Sequence, residues 1–262
     1  MTLRRDAVRL LVSATFPTLP MQASATTRPL PGAVLFLHGS GDTGAGFERW
    51  LGNAPFVQAL KKAGVQIEFP SAVPRPYTYF GGRTMSVWFD RKAMEPTSPE
   101  QTASVEESCA QLETVLDRLV ASGVPPAKIA IGGFSMGGGI ALQTALRSKH
   151  ELGGVFAMSS YLCDDAAIFA AMDDKRVPAK RSRVWMAHGT ADDFVLPAWG
   201  EATAEKLRGY GLDVSWRGYA RMRHELRQDE LDDLDRWLSP LVLPQDETKR
   251  PHSPAPRDEL RR

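Results

Sequence analysis

The amino-acid sequence predicts an α/β domain with a mostly parallel central sheet and helices on both of its faces. Three observations carry that expectation. Short, continuously apolar runs recur along the chain. Amphipathic stretches with helical spacing lie between them. Several apolar runs stop at glycines, where a strand gives way to a loop. Runs apolar on both faces suit parallel strands buried under helices, and strand–helix alternation joins them by right-handed crossovers. The 262 residues, 43% hydrophobic and 24% charged, suit a single hydrophobic core.

Taken in order, the strand candidates begin with Ala33–Leu37, which stops at His38-Gly39, and Val65–Phe69, which ends at Pro70. Ile129–Ile131 leads into Gly132-Gly133, and Gly154–Met158, Val184–Ala187 and Val214–Tyr219 complete the set. The helix over Pro99–Ala121 is predicted from Val105, Cys109, Leu112, Leu116 and Leu119, which fall on one stripe. Gly138–Ser148 is rich in Ala and Leu, Ala198–Gly209 ends at glycine, and Leu226–Leu238 repeats leucine at helical intervals. In such a sheet the reactive groups gather at the carboxyl ends of the strands.

The same sequence argues against several classes. A net charge of +1, with no basic stripe interleaved with aromatics, does not suit a nucleic-acid binder. No apolar run approaches the ~20 residues that span a bilayer, so stable membrane insertion is not expected. Cys109 and Cys163 match no metal spacing and read as reduced thiols of a cytoplasmic protein. No motif calls for a metal or a cofactor, and oligomeric state is not legible. Residues 1–30 form an N-terminal extension expected to be poorly ordered. Arg4, Arg5, Arg9 and Arg28 against the single acid Asp6 give it some likeness to an organellar transit peptide. The α/β domain is placed at 31–242, followed by a Pro-rich, charged tail at 243–262 that is not expected to pack.

The chemistry begins at Gly133-Phe134-Ser135-Met136-Gly137, a G-x-S-x-G sequence between a predicted strand and a predicted helix. That context is the nucleophile elbow of the α/β-hydrolase fold. The glycines let strand and helix approach closely, and the sharp turn lifts the Ser135 hydroxyl off the sheet. No Lys-Ser/Thr pair closes the loop, so it does not suit phosphate.

A serine hydroxyl needs a base to take its proton. In this fold the base follows the acid in the chain. His150 comes too soon after Ser135, His188 precedes the acid candidates, and His252 lies in the tail, which leaves His224. The acid belongs on the loop His188–Val195, where Asp192 and Asp193 compete. The oxyanion hole needs two preorganised donors. One is the backbone amide of Met136. The other is assigned to the amide of Ser40, in the glycine-rich loop His38–Gly44.

These blocks together resemble the phospholipase/carboxylesterase family that includes the acyl-protein thioesterases. The likeness rests on Leu37–Gly44, Val87–Arg91, Ile131–Gly138, Gly154–Ser160, His188–Asp192 and His224–Leu226, in family order over roughly residues 31–240. It implies an acid in a His-Gly-x-x-Asp block, which selects Asp192 over Asp193. It implies hydrolysis of esters or thioesters, with a small acyl ester or an S-acylated protein as substrate. Met136, where many acyl-protein thioesterases carry glutamine, and Gly-Thr-Ala-Asp at the acid point to the lysophospholipase-like branch, which implies a preference for short acyl groups.

Between Pro70 and Phe89 the chain is aromatic, and Trp88 and Phe89 are candidates for an apolar acyl pocket, or else for the core. Arg75, Arg83 and Arg91 are available to an anionic leaving group unless they are merely solvated. The alternatives are a long-chain palmitoyl-protein thioesterase or lysophospholipase, a peptidase with the same triad, and a non-catalytic binding protein or scaffold on a hydrolase fold.

Overall fold

The computed structural model describes residues 31–174 and 183–244. The expectations for the N-terminal extension, and for all but the first two residues of the tail, fall outside these residues.

Six strands form one parallel sheet. They are β1 (Ala33–Leu37), β2 (Gln66–Glu68), β5 (Ile129–Phe134), β6 (Gly154–Met158), β7 (Arg183–Gly189) and β8 (Val214–Tyr219). Between β2 and β5 lies a separate antiparallel ribbon, β3 (Pro74–Tyr77) with β4 (Arg83–Ser86). The order across the main sheet is β2-β1-β5-β6-β7-β8, and every neighbouring pair is parallel. Strand β5, which leads to Ser135, pairs with β1 on one side and β6 on the other. Ser135, the candidate nucleophile, therefore leaves the middle of the sheet.

Alternation along β1 shows how the layers form. Ala33, Leu35 and Leu37 join one core cluster while Val34 and Phe36 join the other. The first cluster packs under α3 (Thr102–Ala121), α4 (Met136–Arg147) and α6 (Pro197–Gly209), through Leu112, Leu116, Ile140, Ala204 and Leu207. The second packs under α1 (Gly44–Leu51), α2 (Pro55–Lys62) and α7 (Gln228–Val242), through Phe47, Leu51, Val57, Leu60, Leu234 and Leu238. The remaining helix, α5 (Ala167–Asp173), precedes β7.

Strands β1, β6 and β8 have the predicted bounds. Strand β2 is shorter than expected, and β5 and β7 run on to Phe134 and Gly189. Helix α4 starts two residues before the expected Gly138, immediately after the nucleophile. Helices α1, α2 and α5 and the β3–β4 ribbon were not anticipated. The α1 start carried a signal, because the Thr43 hydroxyl caps it by accepting the Gly46 amide at 3.0 Å.

Candidate active site

Ser135 stands between β5 and α4 with φ 54° and ψ −123°, a conformation that costs a non-glycine residue about 1–3 kcal/mol. The surroundings hold it there. The Ser135 amide donates to the Met158 carbonyl of β6 at 2.8 Å, and its own carbonyl accepts the Gly138 amide at 3.0 Å. The two flanking glycines are required by space. A Cβ at either Gly133 or Gly137 would lie 2.2 Å from the Leu37 carbonyl oxygen.

The candidate base, His224, comes from the loop between β8 and α7. His224 Nε2 lies 3.0 Å from Ser135 Oγ and Nδ1 lies 2.8 Å from Asp192 Oδ2. A carboxylate only accepts, so Nδ1 carries the proton and Nε2 is free to accept the serine hydroxyl. The imidazole sits between two rings, Phe134 at 4.7 Å and Phe194 at 5.0 Å between centroids. These rings limit its rotation. Neither ring was anticipated as part of the site, although Phe134 adjoins Ser135 and Phe194 lies two residues after Asp192.

Asp192 lies on the loop after β7, with its side chain wholly buried. Oδ1 accepts the amides of Phe194 at 3.0 Å and Val195 at 2.9 Å. Burial by itself would raise the pKa of this carboxyl. Hydrogen bonds from His188, His224 and the Val195 amide more than reverse that and hold it well below the usual carboxylate range. Asp193 instead points outward to an ion pair with Arg223, and both side chains are about two-thirds exposed.

The loop after β1 lies against the nucleophile, since a Cβ at Gly39 would sit 3.5 Å from Ser135 Cβ. Ser40 Oγ reaches Met136 Sδ at 3.6 Å, so the two residues assigned to the oxyanion hole are in contact. The loop is braced from behind. His38 is fully buried, its Nδ1 bonds the Gly39 carbonyl at 2.8 Å, and its Nε2 accepts the Ala72 amide at 3.0 Å. Burial lowers the His38 pKa, which suits this neutral, two-way bonding. Trp88, a candidate for the acyl pocket, is fully buried and donates its indole N–H to the His38 carbonyl at 2.9 Å. Its contact with the site is through the loop it supports.

Phe89 faces a cavity of about 10 Å³, room for one water, which it shares with Arg91, Gly139, Tyr161 and Leu162. The three arginines named from sequence part company here. Arg75 is tied to Glu107, the Ser104 carbonyl and Ser108, and Arg83 is exposed. Arg91 is only 9% exposed. Its guanidinium lies over Phe89 at 5.0 Å and Tyr161 at 5.4 Å and donates to the Tyr161 hydroxyl at 2.9 Å. This cation wedged between two rings was not legible in the sequence.

The other predicted elements sit apart. His150 bonds Asp117 at 2.7 Å, near the far end of α4 from Ser135. Among the described residues only Glu113, Asp117 and His150 bring potential metal ligands together, within 4.8 Å. Lys149 and His150 already engage Asp117, and Ser148 and the Lys149 amide engage Glu113. Cys109 and Cys163 are both free thiols. No helix among the described residues is long and apolar enough to cross a membrane.

The parallel sheet and the elbow at its centre define a serine hydrolase of the α/β-hydrolase fold, and the comparisons with known proteins give its kinship. The family model described as phospholipase/carboxylesterase matches residues 22–242, and the chain belongs to that family. Mouse lysophospholipase-like protein 1 is 34% identical over 220 residues, which cover 84% of this chain and 91% of that protein. Acyl-protein thioesterase 1 of Gibberella zeae is 32% identical, covering 80% and 91%. Among solved structures, Arabidopsis thaliana SOBER1 superposes with a TM-score of 0.71 at 26% identity, covering 80% of this chain and 99% of that one. The expected hydrolysis of esters or thioesters agrees with these relatives.

Proposed function

We propose that this chain hydrolyses short-chain acyl esters and thioesters through an acyl-serine intermediate. The observation that carries the reading is the continuous hydrogen-bond chain from Ser135 through His224 to buried Asp192. Ser135 Oγ attacks the acyl carbonyl carbon while its proton passes to His224 Nε2. Negative charge then builds on the carbonyl oxygen and meets the amides of Ser40 and Met136. Asp192 stabilises the imidazolium and keeps its proton on the far nitrogen. The tetrahedral intermediate collapses as His224 gives the proton on Nε2, taken from Ser135, to the departing alkoxide or thiolate. Water then attacks the acyl-serine, with His224 again as base, and releases the carboxylic acid.

The preference for short acyl groups rests on the wedge at Arg91. Phe89, Arg91 and Tyr161 fill the space beside the first turn of α4, and the cavity left there admits about one water. A palmitoyl chain needs an apolar channel, and a buried cation is a poor wall for one. The substrate is then a small acyl ester or an S-acylated protein whose acyl group is short. Two free thiols support a reducing compartment such as the cytoplasm.

The test is hydrolysis of a p-nitrophenyl ester series from acetate to palmitate by wild type and Ser135→Ala. Serine-dependent turnover that peaks at acetate or butyrate is expected. A palmitate optimum returns the long-chain thioesterase or lysophospholipase reading. Absence of serine-dependent turnover on every ester leaves a binding protein or scaffold on a hydrolase fold.

A further inference from the structure

His188 was set aside as a base because it precedes the acid, yet it ends β7 fully buried against Asp192. Its Nε2 lies 2.9 Å from the Val195 carbonyl oxygen and 3.3 Å from Asp192 Oδ2. Both neighbours are acceptors, so Nε2 carries a proton shared between them. The other nitrogen, Nδ1, is buried with no hydrogen-bond partner. Helix α6 closes over it at Gly200, where a Cβ would come within 2.6 Å of Nδ1. An N–H at Nδ1 would have no acceptor among the described residues, which is costly in a buried site. The ring is therefore fixed with its proton on Nε2, the opposite tautomer to His224.

We propose that His188 is a positioning residue of the triad, which locks the Asp192 carboxylate in the one orientation that serves His224. The proposal rests on the assignment of Asp192 as the triad acid. A carboxylate has about four lone-pair directions. At Asp192 all four are approached: by the Phe194 and Val195 amides on Oδ1, by His224 on Oδ2 at 2.8 Å, and more distantly by His188 on Oδ2 at 3.3 Å. With His188 in place the carboxylate cannot swing about its Cβ–Cγ bond without losing several donors at once. Without it the two amides still hold Oδ1, but Oδ2 keeps only His224, and the oxygen that faces the imidazole is held less tightly. The Val195 carbonyl joins the same lock, because the loop that supplies two amides to Oδ1 also anchors His188.

The first experiment is long-range ¹H–¹⁵N correlation spectroscopy on the whole wild-type chain. His188 is expected in the Nε2–H form and His224 in the Nδ1–H form. A proton on His188 Nδ1 at neutral pH overturns the proposal, whatever the variants do. The second compares His188→Leu with His188→Gln, whose amide can donate from nearly the Nε2 position. The Leu variant should lose about ten- to a hundredfold in kcat at unchanged KM, the range one hydrogen bond to a charged group supports. Its low-field His224 Nδ1 proton should move. The Gln variant should recover most of the kcat and the resonance. Wild-type kcat in a folded Leu variant, or a loss confined to KM, overturns the proposal. Full activity in Ser135→Ala would sink the hydrolase assignment instead, and would leave the His188 tautomer as an independent observation.

Discussion

Glu230, in the first turn of α7, gives the sharpest test of how burial acts on this fold. Its side chain is completely buried and neither carboxylate oxygen has a hydrogen-bond partner. Burial pushes its pKa from an ordinary 4.5 up to about 8, helped by the neighbouring Asp229 charge and opposed by the amide and charge of Arg227. The sign follows from linkage. Below about pH 4.5 the carboxyl is protonated in both states and contributes nothing. Between there and pH 8 the unfolded chain ionises while the folded one keeps its proton, so stability falls as pH rises. At about 1.4 kcal/mol per pKa unit the full loss is about 5 kcal/mol, complete above pH 8. Glu230→Gln removes that loss and keeps the shape. Denaturant unfolding of both proteins at pH 5 and pH 8.5 isolates the effect. The advantage of the variant over wild type should grow by several kcal/mol between the two pH values. An advantage that stays constant would mean that Glu230 is solvated or paired, and the reasoning from burial would fail.

Other expectations concern the site and its supports. Asp192→Asn should cost about 10⁴ in kcat, as a wrong tautomer does in a Ser-His-Asp triad, while Asp193→Asn stays within a few-fold, read by ester hydrolysis. Gly137→Ala forces a methyl to within 2.2 Å of the Leu37 carbonyl and should lower stability by about 1–3 kcal/mol, measured as a fall in Tm. Trp88→Phe removes the indole donor from the His38 carbonyl and should cost about 1 kcal/mol of stability together with part of kcat, as the loop loosens. Arg91→Ala should widen the cavity beside Phe89 and raise kcat/KM for longer acyl esters relative to acetate. An unchanged chain-length profile would separate Arg91 from acyl selection.

Much of the scaffold was legible because burial on both faces leaves a plain mark. Strands such as Gly154–Met158 are apolar throughout, and their bounds follow from it. The β3–β4 ribbon left no such mark, since Pro74 and Pro76 interrupt one strand and the other is largely exposed or half-buried. Helix α1 begins at Gly44, the last residue of the glycine-rich loop, and Gly44 and Gly46 in its first turn are poor helix formers that mask its start. Ser135, Asp192 and His224 were named from motif, order and resemblance, and they lie within hydrogen-bonding distance of one another. The residues that surround them were harder to see. Phe134 reaches His224 from the end of β5 and Phe194 from the loop after β7, and Arg91 depends on a ring 70 residues away. Such contacts arise from tertiary approach and have no local period or spacing.

The backbone at Ser135 also bears on how this protein can change. Glycine adopts φ 54°, ψ −123° with far less strain than serine does. A screen that rewards heat resistance alone would thus favour Ser135→Gly, the replacement that removes the nucleophile. Improvement of durability and retention of turnover diverge at a single codon, and stabilising substitutions are better sought far from the elbow, on the outward faces of α3 and α7.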